Sequence, residues 1–301
     1  MKNILYTIIL SLFILSCDEN ISYLGQFEQQ YSLNCILRND KDIQYATLKR
    51  SYPPNEQNPD TDITNAVIKL ILPDTVLVFK DSLLATPISS SIKSYYYLKP
   101  FRLKKNTEIK IEATLPDGKV LTSETHSPAY YTMLFPEDGA NPSIIPNTTS
   151  GSTYHYRWEI YNNPEPVIFG PAFYIAYFIT GSEDIIKYKE VVGNYDLTFE
   201  YKVPAEFIDI AMQEISNGIT NPATINILGA CFEVKVYDNA LGIYANSIKT
   251  FDDEFSVRIS EPNISNINGG LGIFGTYISE KFIVDLDIGY INSFGYTVAP
   301  E

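Results

Sequence analysis

From Leu33 onward, apolar and polar side chains alternate with a period of two. Leu33, Cys35 and Leu37 share one face of an extended segment against Ser32 and Asn34, which predicts a strand with one buried face. A second short strand is expected over Ile43–Lys49, and Ser51–Asp60, with three prolines among polar residues, is a loop. Segments 66–72 and 75–79 flank Pro73-Asp74, a turn between strands. The clearest alternation is Ile109, Ile111, Ala113 and Leu115 against Lys110, Glu112 and Thr114. It ends at Pro116-Asp117-Gly118-Lys119, whose proline presets φ and whose glycine supplies a positive φ, so 120–125 returns antiparallel. Short strands with turn signals and no convincing helix predict a β-sandwich over residues 31–126.

Residues 127–153 are rich in Pro, Gly, Ser, Thr and Asn, including Pro128, Pro136, Pro142 and Pro146, and read as a linker. Beyond it, 154–161, 173–178, 195–203, 232–237 and 255–259 read as strands of a second, larger β domain over 154–301. Two helices interrupt it. Pro204 suits a first helical turn, Phe207, Ile208, Ala211 and Ile215 recur at helical spacing, and Gly218 marks the stop. Asp238 is a candidate N-cap for a second helix, with Leu241, Tyr244, Ala245 and Ile248 on one face.

The first residues follow another logic. Lys2 precedes an apolar run, Ile4–Leu15, whose twelve residues would rise only about 18 Å as a helix against roughly 30 Å of hydrocarbon. The run reads as a signal peptide, residues 1–16. Ile14-Leu15-Ser16-Cys17 resembles the bacterial lipobox, in which the cysteine receives a diacylglycerol and becomes the first mature residue; the alternative is an ordinary secretory signal with a chance cysteine. Acyl chains bury roughly 0.8 kcal/mol per CH₂, so the body would be tethered and not inserted. Asp18-Glu19 resembles the acidic export signal of surface lipoproteins in the Bacteroidota, whereas Asp after the cysteine in enteric bacteria resembles an inner-membrane retention signal. Residues 17–30 are polar and aperiodic, as suits a flexible leash.

The 301 residues carry 22 Lys+Arg against 36 Asp+Glu, a net charge of −14. That balance argues against a nucleic-acid partner, whose binding depends on clustered cations. Three cysteines are too few for a disulfide scaffold or a four-cysteine zinc site. With 23 Tyr, 16 Phe and 45% hydrophobic residues, the chain must build a core.

Ser260-Glu-Pro-Asn-Ile-Ser-Asn-Ile-Asn-Gly-Gly-Leu-Gly-Ile-Phe-Gly-Thr-Tyr277 resembles the closing signature of uncharacterised Bacteroidota outer-membrane lipoproteins, commonly encoded beside TonB-dependent receptors. Asn65-Ala66-Val67 before a strand, and Lys110–Gly118 followed by a Thr-containing strand, are similar to that family's first, Ig-like or transthyretin-like domain. The helix near Tyr244 sits where the family places a Tyr-bearing helix. Pro164–Asp184, unusually apolar and aromatic, departs from the family pattern. The resemblance implies a mainly β protein, an Ig-like/transthyretin-like sandwich followed by a larger antiparallel β domain with one or two short helices. It also implies an outer-membrane anchor and a TonB-dependent receptor as partner. It implies no cofactor and no reaction.

Candidate chemistry is sparse. Gly270-Leu-Gly272-Ile-Phe-Gly275 matches the dinucleotide fingerprint in letters, but a Pro/Asn loop precedes it, an extended segment follows, and Asp285 and Asp287 come too early for the ribose acid. Gly269, Gly270, Gly272, Phe274 and Gly275 are read either as a close-packed bulge or as a loop that meets a partner. Ser90-Ser-Ile-Lys93 matches a penicillin-recognising motif by letters only. With His126 and His155 alone, a three-histidine zinc site is impossible; both read as structural or surface residues. Asp60, Asp62 and Thr64 place oxygen ligands at alternate positions, like the start of a calcium loop, yet the sixth position, Asn65, is not glycine and the twelfth is Ile71; a solvated turn is the alternative. Asp252-Asp253-Glu254 reads as a solvated run. Cys35 and Cys231 are expected as buried free thiols, the alternative being a disulfide between domains. Tyr95-Tyr96-Tyr97, Tyr130-Tyr131 and Tyr154-His155-Tyr156 put aromatics on both faces of extended segments, so some must be exposed or meet another surface.

The expectation is therefore a non-enzymatic, lipid-anchored accessory protein of TonB-dependent uptake, with no catalytic residue, metal or cofactor. The alternatives are an Ig-like adhesion lipoprotein and, lower, a hydrolase with a scattered site.

Overall fold

A computed structural model describes residues 27–53, 56, 60–83, 94–129, 131–134, 144–145, 152–160, 165–196, 199–249 and 264–299. Cys17, Asp18-Glu19, Ser90–Lys93, Asp252–Glu254 and the strand expected at 255–259 lie outside the described residues.

The fold is mainly β. In chain order the strands are β1 (Tyr31–Arg38), β2 (Gln44–Arg50), β3 (Val67–Leu72), β4 (Thr75–Val78), β5 (Lys80–Leu83), β6 (Ser94–Leu98), β7 (Glu108–Thr114), β8 (Val120–His126) and β9 (Tyr131–Leu134). There follow β10 (Ile144–Ile145), β11 (Thr153–Ile160), β12 (Val167–Ile179), β13 (Lys187–Val191), β14 (Asn194–Asp196) and β15 (Glu200–Pro204). Helix α1 (Ala205–Ile215) leads to β16 (Ile225–Asp238), α2 (Asn239–Lys249), β17 (Phe274–Leu286), α3 (Ile288–Ser293) and β18 (Thr297–Val298).

A ten-stranded sheet in the order β13-β12-β16-β17-β1-β2-β6-β5 forms the backbone of the molecule, with β10 and β18 paired to β17 and β16. Two four-stranded sheets, β14-β15-β11-β9 and β4-β3-β7-β8, bury their apolar faces with it in one continuous core. The alternation in β1 is as read from sequence: Leu33, Cys35 and Leu37 are buried while Asn34 and Ile36 are exposed. In the other half, Tyr156 stacks on Phe232 at 4.5 Å and Trp158 meets Phe169 at 5.6 Å, locking β11 onto β16 and β12. Burying these large rings, together with the aliphatic side chains around them, stabilises this half of the core.

Strand pairing crosses the expected division of the chain. β1 pairs in parallel with β17, Cys35 opposite Phe274 and Arg38 opposite Tyr277, so segments 31–126 and 154–301 share one sheet. Part of the expected linker 127–153 is also built into the core: Tyr131 and Met133 of β9 are buried against β11. Within β9 the buried residues alternate with exposed ones as in any strand. The aromatic stretch inside 164–184 is β12, and its pairing with β16 runs from Val167 to Ile179. Pro171 is tolerated there because β13 pairs only from Phe173 onward, leaving one edge without a ladder to break.

Both predicted helices form. α1 begins after Pro204 and buries Ala205, Ile208, Ala211, Met212 and Ile215. Asp238 caps α2 by accepting from Leu241 N at 2.8 Å. The short helix α3, capped by Asp287 accepting from Tyr290 N at 2.9 Å, is an addition to the two read from periodicity.

Candidate functional site

The inner face of the long sheet is covered, but over β1, β2, β5 and β6 its outer face carries half-exposed side chains. Strand parity decides which residues those are. In β6, Ser94, Tyr96 and Leu98 point inward and Tyr95 and Tyr97 outward. Tyr96 is fully buried; its hydroxyl donates to the Ile63 carbonyl at 2.8 Å and accepts from Ala66 N at 3.0 Å. Tyr45, 43% exposed on β2, pairs directly opposite Tyr97. Its ring meets Tyr95 edge-on at 5.3 Å, and Tyr95 lies 6.2 Å from Tyr97. Three tyrosines thus form a cluster on two adjacent strands, held by a hydrogen-bonded backbone and not by a loop.

Beside the cluster, the Arg38 guanidinium lies 5.3 Å over the Tyr277 ring. Arg38 also grips Asp40 through both Nε and Nη2. This pairing holds the Asp40 carboxyl below the usual carboxylate range and pushes Arg38 up. Burial pushes the Tyr277 phenol up, so it stays protonated. Between these groups is a cleft of about 430 Å³ whose walls include Ile36, Arg38, Ile43, Tyr45 and Tyr277. It is a largely apolar recess with one matched ion pair at its rim.

The Gly-rich segment lies on the chain's own backbone. Leu33 N donates to Leu271 O at 2.9 Å, Leu271 N to Tyr31 O at 2.8 Å, and Asn268 exchanges two hydrogen bonds with Thr122 of β8. A Cβ on Gly272, whose φ is +112°, would lie 2.1 Å from Leu33 O; one on Gly270 would lie 2.6 Å from Tyr31 O. Gly269 crowds Val120 O and Gly275 the Leu241 Cβ in the same way, and Phe274 is fully buried. These glycines therefore answer internal close approach, and Phe274 faces the core and not a partner.

The other candidates are dispersed. His126 Nε2 pairs with Asn106 Oδ1 at 3.0 Å on β8, while His155 Nδ1 meets Glu200 Oε1 at 2.8 Å on the sheet of β11. Glu200 also takes Arg157 Nε at 2.7 Å and Lys202 Nζ at 3.0 Å. Burial raises the Glu200 carboxyl, but the bonds from His155, Lys202 and Arg157 outweigh it and hold its pKa at about 2. Asp62 Oδ2 accepts from Ser94 N at 2.9 Å. Among the described residues, no three of His, Cys, Asp and Glu come together as a metal site. Cys35 is buried, Cys231 half-buried, and both are free thiols raised by burial. Among the described residues, no helix is long and apolar enough to cross a membrane.

The run Tyr95–Tyr97 was visible in sequence as a signal for exposed aromatics. Arg38 and Tyr277 were not, because 239 positions of sequence separate them and only the parallel pairing of β1 with β17 brings them together.

No family model matches the chain, and no curated protein is significantly similar to it. A solved structure described as "Anomalous substructure of Titin-A168169" aligns over 87% of this chain and 100% of its own, at 7% identity and a TM-score of 0.21, a likeness too slight to carry an argument.

Proposed function

We propose that this chain is a lipid-anchored component of the bacterial outer membrane, tethered through Cys17 and directed to the exterior by Asp18-Glu19, and that its β body is a non-enzymatic binding accessory to TonB-dependent nutrient uptake. The observation that carries the reading is the order Lys2, Ile4–Leu15, Ser16, Cys17, in which charge, apolar length, small residue and acceptor thiol follow one another as lipidation requires. The half-exposed tyrosine face is compatible with a binding role, since it offers contact area on a rigid scaffold.

The test has two parts. The wild-type chain should partition into detergent with membranes and Cys17→Ser should not; a Cys17→Ser chain that still partitions overturns the anchor. Mild crosslinking of intact cells should recover a stoichiometric outer-membrane barrel. Recovery of another cell's surface component in its place would favour an adhesion module.

A further inference from the structure

We infer that the outer face of β1, β2, β5 and β6 binds a neutral oligosaccharide, with Tyr45, Tyr95 and Tyr97 as the ring platform. This rests on reading the body as a binding component, but not on where that body is anchored.

The platform comes first. Three phenol rings stand on two hydrogen-bonded strands at centroid distances of 5.3 and 6.2 Å, and the outermost, Tyr45, is 43% exposed. A pyranose ring has an apolar C–H face and a rim of hydroxyls; a tyrosine offers an apolar body to the one and a hydroxyl to the other. The rings stand at 67° and 51° to one another, so they cradle a bent chain and do not form a flat shelf.

The surroundings select among ligand classes. Strand pairing puts Asn34 opposite Thr47, Ser82 opposite Tyr95 and Lys80 opposite Tyr97, so the neighbours of the rings are an amide, hydroxyls and one ammonium group. Along the outer positions of these four strands the one aliphatic residue is Ile36, so apolar contact on this face comes mainly from the aromatic rings. Of the three cations at outer positions, Arg38 grips Asp40 and Lys49 stands 3.9 Å from Asp62, which leaves Lys80, opposite Tyr97, as a single donor suited to a hydroxyl. A chain of net charge −14 would in any case repel a polyanion. β1, β2 and β6, which carry the rings and the cleft, each have strand neighbours on both sides, so an added strand could lie only beside β5, at the end of the sheet order, and not over the rings. A neutral, hydroxyl-rich, ring-containing ligand fits these surroundings. The Arg38–Asp40 pair, presenting donors and acceptors together beside the 430 Å³ cleft, fits the hydroxyls of a sugar at the end of the platform.

The experiment is calorimetric titration of the full chain in detergent with neutral hexasaccharides built from glucose, mannose, galactose or xylose, and with an anionic uronic-acid chain as comparison. Binding of at least one neutral member and no stronger binding of the uronic-acid chain is expected. Tyr45→Ala and Tyr97→Ala should each weaken that binding about ten-fold or more, as loss of a stacking ring does, whereas Tyr45→Phe should keep most of it. Thermal melting of each variant reports whether the fold is retained; if Tyr97→Ala unfolds, Tyr45→Ala with its Phe control decides. No binding of any neutral member, equal binding by Tyr45→Ala, or preference for the acidic chain each overturns the inference. Any of these leaves the partition of Cys17→Ser unchanged, so failure of this site and failure of the anchor are read separately.

Discussion

Thr276 makes a two-point contact with Asp238: its backbone N–H and its hydroxyl both donate to Oδ2, the hydroxyl at 3.0 Å. The same carboxylate takes Thr125 Oγ1 at 2.7 Å and caps α2 through Leu241 N. One buried side chain thus joins the end of β16, the first turn of α2, β17 and β8 of a facing sheet. Asp238→Ala leaves these donors without an acceptor and should cost about 2–4 kcal/mol, measured by denaturant unfolding.

Acid titration of Asp238 has a definite sign. Burial raises its carboxyl in spite of four donated hydrogen bonds, so the folded chain holds that proton more readily than the unfolded one. Its contribution is present in full below the unfolded pKa and is lost as pH rises through the folded value. Asp238→Asn should therefore remove a fall in stability that sets in as pH rises above the ordinary aspartate range, seen as a flatter melting temperature against pH.

Glu200 works the other way. With its pKa held at about 2, its contribution is present above the ordinary glutamate value and is lost as pH falls toward 2. In Glu200→Gln this part of the acid transition should disappear, and the midpoint of acid unfolding followed by circular dichroism should become less dependent on His155, Arg157 and Lys202.

Two glycines with similar φ separate backbone strain from crowding. Gly118, at φ +85°, has open space where a Cβ would go, whereas Gly272 at φ +112° would put one 2.1 Å from Leu33 O. Gly118→Ala should cost about 1 kcal/mol. Gly272→Ala should cost at least twice that, because the β1 contact itself must part; equal melting temperatures for the two variants would refute the packing role of the Gly-rich segment.

The thiols differ in access. In a Cys17→Ser chain, where only two remain, iodoacetamide should label Cys231 slowly under native conditions and Cys35 only after denaturant is added. Rapid native labelling of Cys35 would contradict its burial.

Local structure was readable where one periodicity ruled a segment. The hairpin turning at Pro116–Lys119, the parity of Leu33, Cys35 and Leu37, the helix after Pro204 and the cap at Asp238 all follow from short-range rules. Partnership between distant strands was not readable. Nothing local in Cys35 or Phe274 says that they pair, so two tandem domains were the natural reading of a chain whose sheet is continuous. The site suffered the same limit: Tyr95–Tyr97 announced exposed rings, but which face they shared, and with Arg38 and Tyr277 beside them, depends on register across the sheet.

The parallel pairing of β1 with β17 has a consequence for biogenesis. Ile273 N donates to Asn34 Oδ1 across 239 positions, and Cys35 N to Ile273 O beside it. Synthesis from the amino end delivers β1 long before the segment that completes it. Until residues 273–277 arrive, β1 has an open flank where β17 will lie, a template for misassociation. Such a sheet is of high contact order and should form slowly, in a late cooperative step.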